Sequence, residues 1–203
     1  MDFILFIGLG NCYYYGYGVK KDNNKAFEWY LKSANNGCAE GQNCLGFCYQ
    51  YGQGVEKDHK EAFEWYLKSA NNGCAEGQNG LGNCYYYGRG VLQNYNEAFK
   101  LYSMSADNGF AEGQSNLGKC YYYGCGVNKD YSRAFEWYSK SANNGCAKGQ
   151  NGIGNCYYYG FGAEKDYNKA FGWYLKSANN GCAAGQYGLG NCYWWAWSRE
   201  GLR

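Results

Sequence analysis

One segment of thirty-six residues recurs along this chain without insertion. Ala39–Cys74, Ala75–Phe110, Ala111–Cys146 and Ala147–Cys182 are in register; Phe3–Cys38 joins them from Leu9 onward, and Ala183–Ser198 repeats only the opening half. An exact period of this length restricts the fold to stacked copies of one supersecondary unit, because a single copy has too little surface to bury its own apolar face. A column filled repeatedly by one residue type has met the same physical demand each time.

Each unit is predicted to be two helices. Ala75, Gln78, Leu81, Gly82 and Tyr85 follow three-to-four-residue spacing, the signature of a helical stripe. Gly88-Arg89-Gly90-Val91 interrupts it, and glycine suits the left-handed residue that ends a helix. Asp58, with Asp22, Asp130, Asp166 and Asn94 in its column, is placed to cap the next helix. Ala62-Phe63, Trp65-Tyr66 and Ser69-Ala70 form the second stripe, closed by Asn72-Gly73. Short connections make the pair antiparallel. Small residues such as Gly82 and Ala98 let axes approach, while Trp65, Tyr66 and Tyr85 fill the space between. The expected fold is an all-α solenoid of antiparallel helix pairs, one array over residues 3–198 with a tail at 199–203.

The motif Leu-Gly-x-Cys-Tyr-x-Tyr-Gly-x-Gly-Val-x-Lys-Asp-x-x-x-Ala-x-x-Trp-Tyr-x-x-Ser-Ala-x-x-Gly resembles the Sel-one-like repeat (SLR), a branch of the tetratricopeptide-type helical repeats. The likeness spans about residues 3–196. It implies a right-handed α-α superhelix and an adaptor or scaffold role in protein complexes, with signalling, quality control in the endoplasmic reticulum and bacterial–host contact as settings. The ends depart from the pattern. Met1–Gly8 replaces the Ala-Glu-Gly-Gln opening, and Trp194-Trp195-Ala196-Trp197 replaces the glycine turn. These apolar ends suggest a fragment, a truncated product or a self-associating surface.

Composition narrows the function. Lys+Arg 19 against Asp+Glu 17 leaves a net charge of +2, without the basic surplus that phosphate backbones require, so no nucleic acid is expected. The apolar run at the start is brief, carries Asp2 and merges with the repeat at Gly10-Asn11-Cys12, so it is expected to be the first solenoid helix and not a signal peptide. No run reaches transmembrane length.

Six of the 12 cysteines share one first-helix column (Cys12, Cys48, Cys84, Cys120, Cys156, Cys192), and Cys38, Cys74, Cys146 and Cys182 share the junction. Adjacent repeats are at least one helix spacing apart, about 8–10 Å, more than the roughly 4.4–6.8 Å between Cα atoms that a disulfide tolerates. Buried thiols and a cytoplasmic location are expected. A secreted or ER-lumenal, disulfide-stabilised protein is the alternative.

Catalytic constellations are scarce. His59 is the sole histidine, Cys44 and Cys48 make half a metal site at most, and Gly113–Cys120 mimics a phosphate loop while lacking its strand and its hydroxyl. No cofactor, metal or catalytic residue is expected, with a hydrolase or small-ligand binder as the remote alternative. In related arrays the first helices line the concave surface. Opposite the Leu/Gly/Tyr stripe stand Asn43, Phe47 and Gln50; Asn79, Asn83 and Tyr86; Ser115, Lys119 and Tyr122; Asn151, Asn155 and Tyr158; and Tyr187, Asn191 and Trp194. Amides that donate and accept, beside amphipathic rings, suit a peptide or protein partner.

Overall fold

The computed structural model describes the backbone of residues 3–200 and the side chains of residues 5–194. Eleven helices make up the regular structure among these residues. The odd-numbered, first helices are α1 (Phe3–Tyr15), α3 (Ala39–Tyr51), α5 (Ala75–Tyr87), α7 (Ala111–Tyr123), α9 (Ala147–Tyr159) and α11 (Ala183–Glu200). The second helices are α2 (Asn23–Asn35), α4 (His59–Asn71), α6 (Tyr95–Asp107), α8 (Tyr131–Asn143) and α10 (Tyr167–Asn179). Residues 201–203 of the expected tail lie outside the described residues, whereas Arg199 and Glu200 continue α11.

The chain groups into two compact units, Met1–Ser105 and Ala106–Arg203, with the boundary in the last turn of α6. In the first unit α1, α3 and α5 stand side by side, and α2 and α4 each pack between two of them. The second unit repeats the scheme with α7, α9 and α11 in the row and α8 and α10 between them. Among α1–α5 and among α7–α11, no two even-numbered helices pack together.

Within a unit the pairs are antiparallel hairpins. Asp58 N donates to Tyr49 O at 2.9 Å, a Cβ on Gly46 would meet the Tyr66 ring, and Ser69 Oγ donates to Ala39 O at 2.7 Å. Partner numbers fall as residue numbers rise. The expected caps are present. Asp58 accepts from Lys60 N and Glu61 N, Asp22, Asp130 and Asp166 each cap their helix likewise, and Asn94 Oδ1 accepts from Asn96 N and Glu97 N.

The Gly-x-Gly turn has two distinct demands. Gly160 takes φ +75° and caps α9 through its N–H to Cys156 O. Gly162, at φ +73°, also backs onto the Tyr131 carbonyl, where a Cβ has no room. In α11 the column of the first glycine holds Ala196, and that helix runs for 18 residues where the other first helices have 13. An alanine does not readily adopt the left-handed conformation that stops the helix.

The core repeats as the sequence does. Ala62, Tyr66, Ala70, Leu81 and Cys84 form one buried cluster, and Ala26, Tyr30, Ala34, Leu45 and Cys48 another. Three second-helix tyrosines lie in slots between two glycines: Tyr66 between Gly46 and Gly80, Tyr138 between Gly118 and Gly152, Tyr174 between Gly154 and Gly188. The serine column, Ser69, Ser105, Ser141 and Ser177, is fully buried, and each hydroxyl donates to the carbonyl that opens its own hairpin. Trp65 is half-buried against the cluster of Ala26, Tyr30 and Leu45, with Lys68 Nζ 3.9 Å from its ring centroid, and the tryptophan–lysine pair is repeated at Trp29, Trp137 and Trp173.

Candidate binding clefts on the first-helix row

Each unit carries a cleft between neighbouring first helices. In the second unit it encloses about 500 Å³ and is lined by Tyr122 and Tyr123 of α7, Asn151, Asn155 and Tyr159 of α9, Phe161, Tyr174 of α10, and Ala184, Tyr187, Gly188 and Asn191 of α11. The row of first helices brings five expected residues together here: Tyr122, Asn151, Asn155, Tyr187 and Asn191. None of the lining residues carries a formal charge. The cleft of the first unit is smaller, about 220 Å³, and gathers Asn43 and Phe47 with Asn11, Tyr14, Tyr15, Tyr30, Cys44 and Tyr66.

The asparagines are partly committed to the fold. Tyr174 Oη donates to Asn155 Oδ1 at 2.8 Å, Tyr102 Oη to Asn83 Oδ1 at 2.8 Å, and Tyr30 Oη to Asn11 Oδ1 at 2.8 Å. Burial pushes the Tyr174 and Tyr30 phenols well above their ordinary range, so they remain donors. The amide oxygen therefore satisfies a buried hydroxyl and the NH2 group remains the outward donor.

Other expected face residues sit elsewhere. Gln50 and Ser115 are buried, at 5% exposure each, and offer a partner no surface. Asn79 and Lys119 are half-buried and line neither cleft. Tyr86 packs edge-on against Tyr87 and Tyr95, and Tyr158 against Tyr159 and Tyr167, so this column is half-buried structure as much as surface. Trp194 is exposed on α11, as is Leu5 on α1, Phe6 and Ile7 are half-buried with Phe6 against Trp29, and the side chains of Phe3, Ile4, Trp195 and Trp197 lie outside the described residues.

The residue after that tyrosine was missed. Tyr15, Tyr51, Tyr87, Tyr123 and Tyr159 are each about half exposed or more. One helical step of about 100° turns this column out of the slot that holds its predecessor. An uninterrupted tyrosine column just before the capping glycine was the available signal. Phe161 was missed as well. It stacks on Tyr131 at 4.4 Å with an 8° interplanar angle and on Tyr159 at 5.7 Å and 22°, while Tyr122 meets it edge-on. Its column varies (Tyr17, Gln53, Arg89, Cys125, Phe161) inside an otherwise uniform turn, and that variation marks a position free to specialise.

Eight of the twelve cysteines are buried in the core, and Cys12, Cys44, Cys125 and Cys182 are half-buried. Burial pushes the Cys48, Cys120 and Cys156 thiols up to about 12 and Cys84 to about 11. Cys44, beside Cys48, is also pushed to about 12, first by burial and then by its neighbour. Neither is the thiolate that a nucleophile needs, and the described residues contain no group of three His, Cys, Asp or Glu side chains that could hold a metal ion. His59 opens α4 half-buried with its Nδ1 enclosed and unbonded, and Gly90 of the next repeat backs onto its carbonyl. Among the described residues, no helix is long and apolar enough to cross a membrane.

The Sel1 repeat pattern matches residues 7–38, 39–74, 75–110, 111–146 and 147–182. The chain is similar to a Sel1 repeat protein from Oxalobacter formigenes, at 34% identity and TM-score 0.84, covering 94% of this chain and 76% of that one. It is also similar to c5321, a protective antigen of uropathogenic Escherichia coli with an SLR fold, at 34% identity and TM-score 0.75, covering 93% of this chain and 40% of the antigen. The immunity protein Pa5087 from Pseudomonas aeruginosa shares the fold at 21% identity and TM-score 0.66, with 91% of this chain and 68% of that one covered. No curated protein sequence matches. Five consecutive matched repeats, an all-helical hairpin architecture and two relatives at 34% identity together place the chain in the Sel1 repeat family.

Proposed function

We propose that this chain is a non-catalytic interaction scaffold that holds an extended segment of a partner protein against its first-helix row. Sel1 repeat proteins are generally protein-interaction scaffolds, and the finer reading rests on one observation: five residues of the expected face converge on an uncharged cleft of about 500 Å³. Its exposed tyrosines offer large rigid contact surfaces at low entropic cost, and its amides offer hydrogen bonds that main-chain groups can meet. The protonated thiols and the want of a paired acid and base among the clefts' residues support binding over bond chemistry.

A selection from random displayed peptides on the immobilised protein tests this. Enrichment of a common sequence pattern is expected, and the double variant Asn151→Ala/Asn191→Ala should abolish it. Enrichment that is identical on the variant removes the cleft from the proposal.

A reducing, cytoplasmic setting is part of the same reading, because the column cysteines fill core positions as small hydrophobes. Thiol counting on the denatured native protein checks it: twelve thiols support it, and few or none favour the lumenal alternative.

A further inference from the structure

We propose that the cleft of the second unit takes a neutral, proline-rich segment in the polyproline II conformation; this rests on the peptide-binding reading and specifies its ligand. Three properties of the cleft select that chemistry. It has no charged lining residue, so neither an acidic nor a basic motif gains an ion pair there. Its rings form a braced ledge: Tyr159 is exposed, with Phe161 stacked on it and Phe161 stacked in turn on Tyr131, while Tyr123 and Tyr187 stand open to solvent. One of its three asparagines is committed to donation, since the Asn155 oxygen already accepts from Tyr174 and its NH2 group is left for a ligand, and the amides of Asn151 and Asn191 add further donors.

A proline-rich segment complements each property. It is uncharged and its pyrrolidine rings are compact, rigid and apolar. Proline has no N–H, so the segment presents carbonyl acceptors and few donors. The polyproline II helix is also formed before binding, so little conformational entropy is lost on docking. A carbohydrate would likewise stack on tyrosine. Its hydroxyls are donors in need of strong acceptors, and the cleft contains no carboxylate.

Isothermal titration calorimetry on the full chain tests the assignment with three probes: an acetylated and amidated ten-residue oligoproline, an equally long Ala/Ser/Gly peptide, and cellohexaose. Oligoproline should bind at least tenfold more tightly than the other two. Tyr187→Asn and Phe161→Gln should each weaken it tenfold or more with helix content unchanged. Both replacements copy residues that the same columns already hold, Asn151 and Gln53, so the fold accommodates them. Equal binding of the proline-free peptide, or selection of proline-free sequences in the display experiment, overturns this inference and leaves the peptide-binding reading standing. Cellohexaose binding alone, or the absence of any peptide from both experiments, overturns both.

Discussion

The ring of Tyr174 occupies the space that a side chain on Gly154 would need: a Cβ built there stands 2.5 Å from Cδ1 of the ring. The same column in α11 holds Gly190, where nothing lies within 4 Å of a Cβ. Gly154→Ala should therefore destabilise by about 1–3 kcal/mol through overpacking. Gly190→Ala should stabilise by about 0.5–1 kcal/mol, because alanine loses less backbone entropy in a helix. Urea unfolding followed by circular dichroism reads both, and shifts of the same sign would contradict the slot.

The bond from Tyr174 to Asn155 predicts a particular double-mutant result. Asn155→Ala strands a buried hydroxyl and should cost about 1–3 kcal/mol. Tyr174→Phe removes the donor and keeps the ring, and should cost about 1 kcal/mol or less. Combining the two should be little worse than Asn155→Ala alone, because the phenylalanine leaves no hydroxyl to satisfy. Additive losses in urea unfolding would mean that the two groups do not act as a pair.

Stability should fall at alkaline pH. Burial holds Cys48, Cys120 and Cys156 near 12 against an ordinary 9.0, and Tyr122 near 12 against 10.0. Between the ordinary and the raised values the unfolded chain has released protons that the folded chain retains, so rising pH favours unfolding. These groups contribute their full stabilisation below about pH 9 and lose it progressively as pH rises through 12. Urea midpoints that are flat from pH 6 to 8 and drop beyond pH 9 are expected. At pH 8, Ellman's reagent should label the half-exposed Cys182 ahead of these buried thiols.

The caps should separate by pH. Asp166 is held below the usual carboxylate range, chiefly by the hydrogen bond from Lys169 N–H. Its stabilisation is present above the ordinary carboxylate pKa and is lost as pH falls through its depressed value. Asp166→Ala should lower the melting temperature at pH 7, and the difference should close in acid. Asn94 fills the same place in the third repeat with an amide that does not titrate. Asn94→Ala should lower the melting temperature by an amount that does not change over the same pH range.

Most of the hairpin was legible in the one-dimensional pattern. Asp58, Asn72-Gly73 and Gly88 act through bonds and dihedral angles that span a few residues, so a single helical period exposes them. The binding face was legible only in part. Asn43, Phe47, Asn151, Asn155, Tyr187 and Asn191 reach clefts, but Gln50 and Ser115 are buried, and burial depends on which helices pack against a residue, which one helical period does not reveal.

The period, the caps, the glycine turns and the membership of each column are properties of local chemistry, and the sequence by itself determined them. Which of three consecutive tyrosines faces solvent, whether an asparagine oxygen serves a ligand or Tyr174, and how Phe161 comes to brace Tyr159 were decided by packing between helices. The physical reason is that burial and side-chain hydrogen bonding depend on neighbours brought in from the partner helix or an adjacent repeat, whereas helix propensity and capping depend only on residues a turn away.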